Sequence, residues 1–496
     1  MGSAYRSDAL LRNRGGMATL PFRQIAAQVF VEAITDTAVI PPAAEVPERW
    51  GHPKGTWVLS GTELWDRISF HGMVAMLVLY MTGDLLQPGR MEHIIGFAAY
   101  RRLLESLFGA ITPAAIATQT FGIYYAVLTF LPLIGGWLGD KFVSRRFAVT
   151  TGALTMTAGH FAMAFDQTFL IALMLLVSGA GLLRGNLKPQ IRALYHAGDR
   201  RLADAFQIYS MVVNLGAFIA PLASGAVAKY YGWHAGFAVA GFGMLIGLVW
   251  YLVGARHLPP DPPKGMKVHR APLTPHQKRD ILGLFAMWPV SLGFWTAQAQ
   301  IWNVYNLWLR DHVQMTVGGF AVPVPWLQAL DGLAPAAYVP VVILLWRWQA
   351  RRGTEPDLFT KMGVGCVIFA VSTLLLAGAP LLAGADGLAP LWIPVLFHLA
   401  SNWGGAFFSP VMETFYAARA PEQWRGSLLG VDALSVSAAS ILSGTMGSWY
   451  ETTSPPVFWL TTAAIAGAAG LYVLLLRGTM RRWLGPEEED PAVPAG

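Results

Sequence analysis

Stretches of about twenty apolar residues, scarcely interrupted by charge, recur along this chain, and few structures can house even one of them. At a rise of about 1.5 Å per residue, such a stretch spans the ~30 Å hydrocarbon core of a bilayer. Twelve have suitable length: near residues 63–83, 115–138, 146–165, 168–188, 205–228 and 234–254, then near 281–306, 325–348, 357–380, 388–416, 426–449 and 457–477. No backbone polar group can stay unpaired in lipid, so these stretches must be helices rather than open strands. Composition agrees: 54% of the 496 residues are hydrophobic and 13% are charged. A water-soluble chain of this length could not hide that much apolar surface. The expected class is an all-α membrane protein, twelve helices in two six-helix bundles.

Charge sets the expected orientation. Alternate loops carry Lys141, Arg145 and Arg146; Arg192, Arg200 and Arg201; Arg347, Arg351 and Arg352; and Arg419 and Arg425. Arg477, Arg481 and Arg482 follow the last stretch, so both termini are expected on the cytoplasmic side of a cell inner membrane. The net charge of +6 is spread over these loops and does not suggest a nucleic-acid partner. One cysteine, Cys366, excludes an intrachain disulfide and a cysteine metal site.

The pattern divides the chain. Residues 1–16 carry Arg6, Arg12 and Arg14 without the apolar core of a cleavable leader; within residues 1–56 RQIAAQVFVEAITDTAVI is too short and polar to span, and reads as a cytoplasmic helix or a disordered arm. Residues 57–255 hold the first bundle, and 281–480 the second, followed by a tail, 481–496. The proline-rich, basic residues 256–280 read as the linker between the bundles. The long loop 84–112 contains MEHIIGFAAYRRLLESLFG, whose apolar spacing predicts an interfacial helix.

The loop GGWLGDKFVSRR matches the major facilitator signature G-x-L-x-D-x-x-G-R-R, with Ser144 in place of the second glycine. Asp140, Lys141, Arg145 and Arg146 are the expected cytoplasmic latch, with ordinary loop charge as the plainer reading. Three further stretches narrow the resemblance: TELWDRISFHGMVAMLVLYMT, GAGLLRGNLKPQIRALYHAGDRR and FQIYSMVVNLGAFIAPLASG. They resemble the first, fourth and fifth helices of the proton-dependent oligopeptide transporters, a peptide transporter family of the major facilitator superfamily. Residues 61–254 carry the likeness best. Later, Ser409-Pro410 and Arg425-Gly426 match the family's S-P and R-G.

The resemblance implies proton-coupled symport of di- or tripeptides, or of peptide-like solutes, by alternating access. It implies a carrier rather than an enzyme, monomeric, with protons as coupling ion and no cofactor or metal. Glu63, Asp66 and Arg67 take the place of its proton-coupling triad; an ion pair snorkelling at the helix mouth is the alternative. Arg184 stands where the family has a lysine, and Arg cannot release its proton. Lys188 is the substitute or a helix-end anchor, and Gly185 replaces a proline. Asn214 matches a substrate-facing amide, or serves as an interhelical hydrogen bond. Tyr124 and Tyr125 are expected to line the cavity or to pack within the bundle. His71 sits in an aromatic position of the family and reads more plainly as a core histidine.

The departures matter as much. Val74 replaces an arginine of the first helix, and Ala299 before Gln300 replaces its acid partner on the seventh. Gly405 stands where peptide carriers have the glutamate that holds a substrate's amino terminus. Asp331, Glu413 and Asp432 are the remaining acids of the second half, each serving either a changed substrate or an ion pair at a helix end. Trp295, Gln300 and Trp302 are further candidates for the wall. Two other functions stay open: the same fold carrying a non-peptide solute such as an amino-acid derivative, an anion or a metabolite, possibly outward; or a membrane sensor that binds without transport.

Overall fold

Helix ends in this protein are written into the side chains that satisfy the first free N–H groups. Thr112 caps the helix that starts at Pro113, accepting from Ala115 N. Ser144 does the same for Phe147 N, and Asp357 for Thr360 N. Thr274 and Gln277 form a reciprocal capping box. The computed structural model describes residues 48–109, 111–196, 198–261 and 272–485. The helix expected in residues 23–40 lies outside them.

The chain falls into two units, Met1–Pro53 and Lys54–Gly496. In the first, β1 (Glu48–Arg49) pairs with β2 (His52–Pro53) through a turn with Trp50 and Gly51 at positive φ. In the second, the first bundle comprises α1 (Lys54–Tyr80), α3 (Pro113–Lys141), α4 (Arg145–Ala162), α5 (Phe169–Arg192), α6 (Arg201–Tyr231) and α7 (Trp233–Gly254). The expected interfacial helix is α2 (Phe97–Phe108), which buries Phe97 and Leu104. The second bundle comprises α8 (Pro275–Ala286), α9 (Trp288–Ala299), α10 (Val304–His312), α11 (Pro325–Gln328), α12 (Leu330–Arg351), α13 (Leu358–Ala377), α14 (Trp392–Arg419), α15 (Arg425–Gly447) and α16 (Pro455–Leu484).

Every expected stretch falls mainly on helix. The capping box starts α8 at Pro275, inside the expected linker, and α16 continues to Leu484, inside the expected tail. Among the described residues, nine helices are long and apolar enough to cross a membrane. Of the rest, α4, α14 and α15 are long but polar: α4 opens on Arg145 and Arg146, while α14 and α15 turn histidine, asparagine and serine inward. Crossings depend on small residues. A Cβ placed on Gly152 would lie 2.6 Å from Gly179 O, so α4 and α5 meet backbone to backbone.

The stretch expected as one helix over 281–306 is broken. After α9 a tight turn, Gln300–Trp302, leads to Asn303 at φ −109° and ψ −102°, and α10 then starts afresh. Irregular backbone at membrane depth needs replacement partners. Gln328 Nε2 donates to Ile301 O at 2.6 Å, and Asn306 Nδ2 to Trp302 O at 3.3 Å.

The bundles touch mainly at the end opposite the basic loops, here called the far face. Lys229 reaches Ala321 O, Trp326 Nε1 donates to Leu222 O at 3.1 Å, and Arg310 Nη1 donates to Thr82 Oγ1 at 3.1 Å. On the same face Arg90 bridges Asp84 and Asp166, and the Asp166 hydrogen bond holds its guanidinium above the ordinary value. A Cβ on Gly122 would lie 2.6 Å from Ser440 O, so α3 and α15 approach where only glycine fits. Toward the basic face, Lys188 and Glu413 are solvent-exposed.

Candidate functional site

Between the bundles lies a cavity of about 290 Å³. Asn214 of α6, with His71 and Tyr125, forms its wall on the first bundle; Trp295, Gln298, Trp302, Asp331, Asn402 and Gly405 form much of the other. Four of the expected substrate residues, Tyr125, Asn214, Trp295 and Asp331, thus meet at one hollow. A Cβ on Gly405 would touch nothing within 4 Å, so the missing side chain leaves open space.

Gln300 does not join them. It is fully buried, and its Nε2 donates to Ser443 O at 3.2 Å, on α15. Gln300 and Trp302 both lie in the turn after α9, which turns Gln300 toward α15 and leaves Trp302 on the cavity. Tyr124 borders a separate apolar hollow among α2, α3 and α5. Lys188 lies a turn beyond Arg184, its ammonium 5.9 Å from the Tyr209 ring centre. Glu413 sits two turns beyond Gly405 on α14, toward the basic face. Val74 is buried among apolar neighbours and Ala299 lies at the turn, so neither position holds a charge. Asp432 accepts from Ser291 Oγ at 3.0 Å.

The charged cluster sits on α1. Glu63 and Asp66 are fully buried, which a carboxylate snorkelling at a helix mouth would not be. Glu63 Oε1 accepts from Arg67 Nε at 2.6 Å, while its Oε2 is buried without a hydrogen-bond partner. Asp66 turns across to α5, where Arg184 grips both oxygens, Nε to Oδ2 at 2.9 Å and Nη2 to Oδ1 at 3.2 Å. The Arg184 guanidinium also lies 4.5 Å from the Phe70 ring centre. Phe70 in turn stands 6.0 Å from Tyr125 and 4.9 Å from His71, ring centre to ring centre. One aromatic layer therefore separates the cluster from the cavity.

Gln298 and Asn402 of the wall, and His398 behind it, escaped the sequence reading. His398 Nδ1 lies 2.8 Å from Asp331 Oδ1, and Asn402 Nδ2 donates to the same oxygen at 2.7 Å. A lone histidine in an apolar run looks like core. The available signal was the i, i+4, i+7 spacing of His398, Asn402 and Gly405 on one face of α14.

The basic loop is fastened in its own way. Arg145 Nη2 pairs with Asp140 Oδ1 at 2.7 Å, and Arg145 N donates to Asp261 Oδ1 at 2.9 Å. Arg146 donates to Leu258 O and, at 3.1 Å, to Pro259 O. Lys141 is exposed.

The profile of the POT family matches residues 146–273 and 266–458. The chain is similar to "Uncharacterized transporter YclF" of Bacillus subtilis, 25% identical over 88% of this chain and 96% of the relative. It is 24% identical to "Peptide transporter YePEPT" of Yersinia enterocolitica, over 86% and 94%. A di-/tripeptide transporter of Lactococcus lactis is 23% identical, over 88% and 97%. Among solved structures, a peptide transporter POT in complex with sulfate superposes with a TM-score of 0.76, at 24% identity, over 88% of this chain and 97% of that one. A POT family transporter in complex with 5-aminolevulinic acid gives 0.75, at 21% identity, over 88% and 98%. The paired bundles are thus the major facilitator fold, and the family profile covers more than half of the sequence: the chain belongs to the POT family.

Proposed function

We propose that this integral membrane protein moves small peptides or peptide-like solutes together with protons, by alternating access, without chemical conversion of either. The carrying observation is the cavity between the bundles, with Asn214 on one wall, Asp331 on the other, and the Glu63–Arg67 and Asp66–Arg184 pairs one aromatic layer away. A mid-membrane site between two halves is what rocking needs. The relatives' names support the substrate class. The basic face is read as cytoplasmic, both termini included, which makes this a conformation closed to the outside. Inward proton flow then supplies about 2.3 kcal/mol per charge for each ~100 mV of potential.

The test is uptake of a dipeptide panel into proteoliposomes with the outside acidified. Accumulation that collapses when the gradient is dissipated supports the reading. Binding without uptake under any gradient would replace it with a sensor. The vacancy at Gly405 favours a second reading within the same fold, a solute whose amine is not gripped there. Equal affinity for free and amino-blocked dipeptides would select it; clear preference for the free amine would reject it.

A further inference from the structure

We propose that Asp331 and His398 form a second proton-binding site, on the second bundle, whose occupancy governs closure of the cavity. The proposal rests on the proton-coupled reading and adds to it a place where a proton can be held.

The two pairs of the first bundle have arginine as their cation, and arginine keeps its proton throughout. Asp331 is different. Its oxygen Oδ1 takes hydrogen bonds from His398 and Asn402, and among the described residues neither Lys nor Arg pairs with it. Its side chain is 7% exposed and that of His398 0%. Asp331 Oδ2 and His398 Nε2 are each buried without a hydrogen-bond partner. With a neutral imidazole the pair carries one buried negative charge without a counter-ion, which is costly. Asp331 borders the cavity and His398 lies behind it, so a proton taken from the cavity onto the Asp331 carboxylate gives carboxylic acid beside imidazole, a neutral pair; its return restores the charge.

Among the described residues, no Lys or Arg forms an ion pair with either member. Tyr305 of α10 faces His398 at 5.2 Å between ring centres, its hydroxyl buried and unpartnered. Asn402 and Ser401 are polar neighbours on α14. Across the cavity His71 stands against Trp302, and Arg67 and Arg184 are engaged by Glu63 and Asp66. The pair is also placed to act on the bundle contact. The residue after Asp331 is Gly332, where a Cβ would lie 2.4 Å from Phe218 N and 2.7 Å from Asn214 O of α6. An unneutralised Asp331 holds water at this seam, whereas the protonated pair lets it dry and close.

Two measurements test this on His398→Gln and Asp331→Asn. The first needs no substrate: each protein, in lipid nanodiscs, is titrated with a pH indicator between about pH 5 and 8. Wild type should take up more protons than either variant; matching titration curves would overturn the site. The second uses dialanine in proteoliposomes. A gradient of about one pH unit, coupled to one proton, supports about tenfold accumulation. Both variants should lose accumulation beyond that driven by the other site, and His398→Gln, which lies behind the wall, should keep dialanine counterflow; wild-type accumulation in both would overturn the proposal. If wild-type protein ignores dialanine while the titration difference persists, the substrate reading falls and the proton site stands.

Discussion

Asp66 has a short arm, and it meets a long partner. Arg184, with its fork of donors, reaches across from α5 and holds both oxygens of Asp66. Glu63 is then the freer acid, with Oε2 unpaired. Replacing Glu63 by Gln should therefore reduce proton-driven accumulation and leave counterflow exchange intact, as read in proteoliposomes with and without a pH gradient. Loss of neither would remove Glu63 from coupling. Gly405 invites the opposite change. A Gly405→Glu variant has room for its Cβ, and should fold and bind free-amine dipeptides at least about tenfold more tightly than wild type, a gain of about 1.4 kcal/mol. Isothermal titration against amino-acetylated dipeptides measures it; unchanged preference would show that this wall does not meet the substrate amine.

At the scale of the element, most of the fold was legible, because lipid leaves a long apolar run no choice but helix. Glu63, Asp66, Asn214 and Asp331 could be picked out because polar groups inside such runs are costly and conspicuous. The break after α9 was not legible. Its sequence, QAQIWNVY, has no proline or glycine, and the turn survives through Asn306, which bonds back from α10, and Gln328, which reaches in from α11. His398 escaped for the same reason: its meaning lies in a partner on another helix. The break makes its own prediction. Gln328→Leu leaves Ile301 O without that donor and should cost about 1–3 kcal/mol, seen as a lowered unfolding midpoint in detergent. An unchanged midpoint would mean the turn is self-sufficient.

At the scale of the molecule, closure at the far face rests on α3 meeting α15. A Cβ on Gly447 would fall 2.6 Å from Thr118 Cβ. An easing of about 1 Å gives the ~3.8 Å spacing of a disulfide. The double variant Thr118→Cys, Gly447→Cys should therefore lock this conformation on oxidation and stop transport, with recovery on reduction; Cys366 is buried and should not interfere. Transport that persists in the oxidised protein would mean that this seam need not part.

Arg145 and Arg146 moor the chain at Leu258, Pro259 and Asp261 as it leaves α7, so the first half ends in a finished hem rather than a loose thread. Its partner begins just as cleanly, at the Thr274 cap. Two polypeptides divided after Asp261 and made in the same cell should accordingly find each other and work, and recovery of transport from the paired fragments would measure how little the connector itself contributes.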